Sequence, residues 1–181
     1  MKNKQKIIVI TGAESTGKSA LTGFLAEYYK VPSIPEFARS YIEHLDRKYT
    51  YEDVEYIARK QVEQLEEMKK IRSEFLFIDT WLIITKIWFE EVYRRVPEWI
   101  CKQIKHTAID LFLICDTDLP WIPDNVRENG GERRDYLQNR YIEEIKNYGF
   151  NFHLVKGVNH ERYMNALEVL EQLAGDKPKH S

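Results

Sequence analysis

Glycine, four residues, then Gly-Lys-Ser, set between an apolar run and an amphipathic stretch, is the segment of this 181-residue chain best equipped for chemistry. It reads Gly12-Ala13-Glu14-Ser15-Thr16-Gly17-Lys18-Ser19-Ala20, directly after Ile7 to Thr11. Glycines let the backbone curl until consecutive N–H groups converge, and a helix starting there adds the positive end of its dipole. The group such a nest holds is a polyphosphate. Lys18 would reach the β- and γ-phosphates and the Ser19 hydroxyl would ligate Mg²⁺, so ATP with Mg²⁺ is the expected cofactor. The bland alternative is a tight strand-to-helix turn, but a buried strand before and a helix after are the context a phosphate loop requires.

Three further groups could act beside that loop. Asp79 ends the run Phe75-Leu76-Phe77-Ile78, where a carboxylate emerges at the carboxyl edge of a buried strand and can serve the metal; it could equally cap a helix near Trp81, and Thr80 could share either task. Glu36 and Arg39 are three apart in "VPSIPEFARSY" and would face one cleft if Glu36 closes a strand. A carboxylate suits the group that orients an acceptor hydroxyl and takes its proton late, and Glu36 is the first candidate for it, with Asp79 the second. A Glu36–Arg39 surface ion pair is the competing reading.

The stretch "DTDLPWIPDNVRENGGERR" carries Asp116, Asp118 and Asp124 and then Arg127, Arg133 and Arg134. Its glycines and charges predict a mobile surface loop over 125–134, within an arginine-rich lid over 120–135. Guanidinium groups closing on a triphosphate would neutralise the transferring phosphoryl group and exclude the water that competes with transfer. A solvated charge run is the alternative. Of the four tryptophans, Trp121, between Pro120 and Pro123, is the one whose placement asks for a ligand or lid contact. With Glu36, Arg39, Asp79 and Asp124 it forms the expected acceptor side. The five histidines have no metal-ligand spacing, so zinc chemistry is not indicated.

What positions these groups is an alternation of strands and helices. Ile7 to Thr11, Phe75 to Asp79, Asp110 to Cys115 and Phe150 to Val155 read as strands. The first two lack polar alternation, as parallel strands covered on both faces do. Val31 to Phe37, with Pro32 and Pro35, can form only a short or irregular fifth strand. Helical faces follow from the spacing of Ile57, Gln61, Leu65 and Met68; of Leu137, Tyr141, Ile145 and Tyr148; and of Tyr163, Leu167, Leu170 and Ala174. Trp81 to Tyr93 is apolar on more than one side and predicts a helix held between the sheet and another element.

The length fits one α/β domain over 1–181, with ends expected to fray at 1–5 and 175–181. Lys plus Arg number 27 against 29 Asp plus Glu, and the net charge of -2 gives no global attraction to nucleic acid or anionic lipid. Cys101 and Cys115 form no disulfide framework, and no apolar signal or membrane-length window occurs, so a cytoplasmic setting is expected. A small-molecule, nucleoside-like substrate is the expected partner, with no nucleic acid and no membrane; the oligomeric state is left open.

The order Gly12-Ala13-Glu14-Ser15-Thr16-Gly17-Lys18-Ser19, Glu36-Phe37-Ala38-Arg39, Ile78-Asp79-Thr80, Asp118-x-x-Trp121-x-x-Asp124-x-x-Arg127 resembles the ribosylnicotinamide kinase domain of the NadR proteins and the stand-alone NadR-like P-loop ATPases. The likeness runs from the first strand to the last helix. It implies a P-loop NTPase of nucleoside-kinase type, with a parallel five-stranded sheet ordered 2-3-1-4-5, helices on both faces and an arginine lid. The reaction it implies is ATP-dependent phosphorylation of the 5′-hydroxyl of nicotinamide riboside to nicotinamide mononucleotide. Two departures stand out. Asp124-Asn125 occurs where Asp-Gly is usual, and no adenylyltransferase domain accompanies these residues, so coupling to NAD synthesis within one polypeptide is not expected. The competing functions are a small regulatory or switch ATPase and a kinase for another nucleoside. A guanine-nucleotide switch lacks its Asn-Lys-x-Asp segment, and a nucleic-acid end kinase would need a basic stripe.

Overall fold

The computed structural model describes residues 4–175. Residues 1–3 and 176–181, most of the termini expected to fray, lie outside the described residues; Gln5 is tied to Ile71 O and Ser73 Oγ, each at 2.8 Å. Five strands, β1 (Lys6–Thr11), β2 (Ser33–Ile34), β3 (Phe75–Asp79), β4 (Leu111–Cys115) and β5 (Phe152–Val155), form one parallel sheet in the order β2-β3-β1-β4-β5. The helices are α1 (Lys18–Tyr29), α2 (Phe37–Glu43), α3 (Tyr51–Met68), α4 (Leu82–Tyr93), α5 (Glu98–His106), α6 (Gly131–Asn147) and α7 (His160–Gly175).

Strand residues point alternately to two cores, which is why β1, β3 and β4 are apolar throughout. Ile8, Ile10, Phe75, Phe77 and Leu113 pack against Leu21 and Leu25 of α1 and Ala166, Leu167 and Leu170 of α7. On the other face Val9, Leu76, Ile78, Phe112 and Ile114 meet the buried sides of α3, α4, α5 and α6. Helix α4 is covered by the sheet and its neighbouring helices, which accounts for its nearly all-round apolar sequence. Helix α3 opens with a capping box in which Thr50 Oγ1 accepts from Asp53 N and the Asp53 carboxylate accepts from Thr50 N.

Register brings the chemistry to one edge. Ile10 lies beside Asp79, Ile34 beside Ile78, and Thr11 beside Ile114, so the carboxyl ends of β1, β2 and β3 share a rim with Gly12, Glu36 and Asp79 just beyond or on it. Strand β2 is only two residues long, as its prolines require, and Glu36 lies two residues past it at the start of α2. No helix among the described residues is long and apolar enough to cross a membrane. Cys115 is buried and Cys101 half-buried, both as free thiols.

Candidate active site

The loop after β1 departs from ordinary backbone at three positions, Gly12 (φ 136), Ser15 (φ 57) and Gly17 (φ 79). Glycine at 12 is dictated by space as well as by φ: a Cβ there would stand 2.6 Å from Cys115 O and 3.0 Å from Thr16 Oγ1. The loop closes on itself at Ala13, whose carbonyl accepts from Thr16 Oγ1 at 2.8 Å and Lys18 Nζ at 3.0 Å. Gln138 of α6 fixes its base, accepting from Ala13 N at 2.8 Å and donating to Cys115 O at 2.9 Å.

Beside the loop opens a cavity of about 310 Å³ lined by Ser19, Thr22, Ser33, Glu36, Arg39, Glu43 and Asp79 among others. The Ser19 hydroxyl donates to Asp79 Oδ2 at 2.5 Å. Asp79 is buried, and burial pushes its carboxyl above the ordinary value; Lys18 and the hydroxyls of Ser19 and Thr80 oppose the shift. Glu36, partly open through the cavity mouth, is also raised by desolvation, against the pull of Lys18 and with the help of the neighbouring Asp79 charge. At both acids burial outweighs the one lysine between them, and at Glu36 the like charge of Asp79 adds to it, so the carboxylates are more basic than in water. Neither alternative reading survives: α4 is entered through Trp81 with no side-chain cap, and Arg39 pairs with Glu43 at 3.0 Å and Asp124 at 2.7 Å rather than with Glu36.

The segment 116–130 lies over the phosphate loop. Glu14 takes donors from Trp121 Nε1 (3.2 Å), Glu128 N (3.2 Å), Asn129 N (3.0 Å) and Asn129 Nδ2 (2.9 Å). The Ser15 hydroxyl accepts from Ile122 N at 3.1 Å. Trp121 packs on Gly130, where a Cβ would come within 3.1 Å of the ring. Its polar contact is thus to the phosphate loop itself. Asp124 joins this segment to α2: it receives Arg39, the N–H groups of Val126 and Arg127 (2.9 Å each) and the Arg127 guanidinium, and Arg39 foremost holds its carboxyl down at about 2.

The expected loop is shorter than its glycines suggested. Helix α6 begins at Gly131, so Arg133 and Arg134 are helical and do not belong to a lid loop. Arg133 is held by Glu91 at 2.8 Å. Arg134 is buried, with its guanidinium on the carbonyls of Glu14, Ser15, Thr117 and Leu119, so it cannot swing in over a ligand from outside. Only Arg127 lies in the irregular segment, its guanidinium on Ile122 O at 2.6 Å and beside Asp124 at 3.3 Å.

A family profile described as an AAA domain matches residues 7–162. The chain belongs to that family. This AAA-domain chain is 26% identical over 178 residues, 95% of its length, to the trifunctional NAD biosynthesis/regulator protein NadR of Salmonella typhimurium strain LT2, and spans 43% of that protein. Among solved structures it is similar to a NadR protein in complex with NR, at TM-score 0.79 and 19% identity, covering 98% of this chain and 53% of that one. It is also similar to deoxyadenosine kinase from M. mycoides with bound dATP, at TM-score 0.61 and 16% identity, covering 92% and 99%. The strand order is the expected 2-3-1-4-5, and the chain shares its fold with both of these structures.

Two residues of this AAA-domain chain's site escaped its sequence reading. Gln138 and Arg162 sit on helix faces whose apolar neighbours, Leu137 and Tyr141 in one and Ala166 and Leu170 in the other, are buried with them. The signal was there in the spacing: Arg162, Ala166 and Leu170 are four apart and share a face. A charged residue on such a face is ordinarily taken for a solvated one.

Proposed function

We propose that this chain is an ATP-dependent phosphotransferase for a small nucleoside-like acceptor, with nicotinamide riboside, giving nicotinamide mononucleotide, as the leading substrate. One observation carries the reading: the acids Glu36 and Asp79 line a single cavity that opens at Ser19 on the phosphate loop. A switch ATPase has no use for an acceptor-sized cavity there. At about 310 Å³ it lies at the small end of ligand pockets, roughly 300–1,000 Å³, which suits one nucleoside and not a polymer.

In this mechanism the amides of the loop and Lys18 hold the nucleotide's phosphates. Glu36 accepts a hydrogen bond from the acceptor hydroxyl, aims it at the γ-phosphoryl group and receives its proton as the bond to phosphorus forms. Its raised affinity for protons favours that late transfer. Ser19 and Asp79 present a hydroxyl and a carboxylate 2.5 Å apart, a hard-oxygen pair that fits Mg²⁺, an ion that takes few protein ligands and completes its shell with phosphate and water. When bound it would neutralise charge on the phosphates. The lid excludes water through its contacts with Glu14 and Ser15.

The deciding experiment measures ADP release from MgATP with nicotinamide riboside, deoxynucleosides, pyrimidine nucleosides, thiamine or no acceptor. Turnover that depends on nicotinamide riboside supports the reading. Turnover with a deoxynucleoside alone shifts it to the kinase represented by the second structural relative. Equal ADP release without acceptor overturns the kinase in favour of the ATPase.

A further inference from the structure

Arg162, on the last helix, is 2% exposed, and nothing in the reaction outlined above uses it. Its Nε donates to Gly157 O at 2.9 Å, its Nη1 to Thr16 O at 2.9 Å, and its Nη2 pairs with the Asp118 carboxylate. Asp118 in turn accepts from Gly157 N at 2.7 Å, which fixes the pair between the loops that follow β4 and β5. Arg134 approaches the same phosphate loop from α6, with Nε on Glu14 O at 2.8 Å and Nη2 on Ser15 O at 3.1 Å. Two buried guanidiniums from opposite sides of the sheet therefore hold three consecutive carbonyls, those of residues 14, 15 and 16.

The consequence lies in peptide geometry. In a trans peptide the C=O of one residue and the N–H of the next point in opposite directions, and no cis bond occurs among the described residues. Carbonyls of Glu14, Ser15 and Thr16 held by the arginines leave the N–H groups of Ser15, Thr16 and Gly17 turned the other way. Those are amides of the anion nest. We propose that Arg162, seconded by Arg134, is a positioning residue for phosphate binding: it grips the outer, carbonyl side of the loop and so fixes the amide side in its binding geometry before the nucleotide arrives. Such pre-orientation removes the reorganisation that a flexible glycine-rich loop would otherwise undergo on binding, and Arg134, whose guanidinium bonds to carbonyls alone, adds favourable potential for the phosphates. Lysine is a poor substitute, because a single ammonium cannot span the acceptors that a guanidinium fork reaches together.

The inference rests on the phosphate-loop half of the function proposed above and not on the acceptor. Its test is calorimetry of MgATP and of inorganic tripolyphosphate with Mg²⁺ on the wild-type chain, Arg162→Met and Arg162→Lys, alongside the melting temperature of each. Asp53→Asn, a change far along the chain from the loop, serves as the destabilised control. Both ligands should bind Arg162→Met at least about tenfold more weakly, with Arg162→Lys intermediate, while Asp53→Asn lowers the melting temperature and leaves both affinities unchanged. Wild-type affinity in a folded Arg162→Met would overturn the inference; should that variant not fold, wild-type affinity in Arg162→Lys would do the same. Absence of MgATP binding by the wild-type chain is a different failure, that of the phosphate-loop reading itself, and would remove the inference with it.

Discussion

Arg39 Nη2 on α2 lies 2.7 Å from Asp124 Oδ2 in the segment covering the phosphate loop, and this ion pair joins the α2 wall of the cavity to that segment. Asp124 also receives two lid amides and the Arg127 guanidinium, so one carboxylate organises the turn and its contact with α2. Asp124→Asn keeps an oxygen for the amides but loses the charge that holds both arginines. The ratio of acceptor-independent hydrolysis to phosphoryl transfer should rise about three- to tenfold, read as ADP release with and without acceptor. An unchanged ratio would mean that the lid and α2 act independently.

Arg127→Ala tests the lid from its other end. The guanidinium ties the turn through Ile122 O, and Ile122 N donates to the Ser15 hydroxyl on the phosphate loop. Loosening that chain should also raise hydrolysis relative to transfer, by about the same factor, with nucleotide affinity weakened less than about threefold. If instead MgATP affinity collapses, Arg127 touches the phosphates directly.

Glu36→Gln separates catalysis from stability. Loss of the base should cut kcat by roughly 10²–10⁴ with little change in the Kd for MgATP. The wild-type acid limb of kcat should lie above the range of an ordinary glutamate, because the folded protein raises this carboxyl's pKa. The sign for stability follows from the same shift: the folded state binds the proton more tightly than the unfolded one, so stability falls as pH rises through the unfolded value and stays lower above the folded one. At pH 7 the amide should therefore melt higher than the acid. Near-normal turnover would transfer the role of base to Asp79, and a lower melting temperature would overturn the stability sign alone.

At Gly12 the prediction is steric. Gly12→Ala places a methyl group 2.6 Å from Cys115 O at a φ of 136°, so the loop must move or β4 must yield. MgATP binding should fall by at least about a hundredfold, more than the loss in Lys18→Ala binding, while Lys18→Ala should abolish turnover in a folded protein. Calorimetry and single-turnover assays distinguish the two.

Asp53 governs acid stability away from the site. Arg47 foremost, with the Thr50 amide and the Tyr41 hydroxyl, holds its carboxyl well below the ordinary value. A depressed folded pKa contributes stability above the unfolded value, near about 3.9, and that contribution is lost as pH falls from there through the folded value. Asp53→Asn should lower the melting temperature at pH 7, and the gap to wild type should close as the pH is lowered through that window. A gap that persists at low pH would assign the effect to packing and not to charge.

The sequence by itself determined the local frame. Uninterrupted apolar runs could only be strands covered on both faces, the glycines at 12 and 17 could only serve a backbone that turns through positive φ, and Pro32 and Pro35 limited β2 to the two residues observed. Glu36 and Asp79 were legible because each ends or follows a strand, and strand ends converge at one edge of a parallel sheet. What required the tertiary structure was the fate of the arginines. Arg133, Arg134 and Arg162 carry the same charge in the sequence as any solvated residue, and a Gly-Gly step before Glu132 reads as loop. The decision came from contacts more than a hundred residues away along the chain: Thr16 O receives Arg162, and Glu14 O receives Arg134, because the loop's carbonyls are buried and must find donors. No local pattern records which distant helix supplies them.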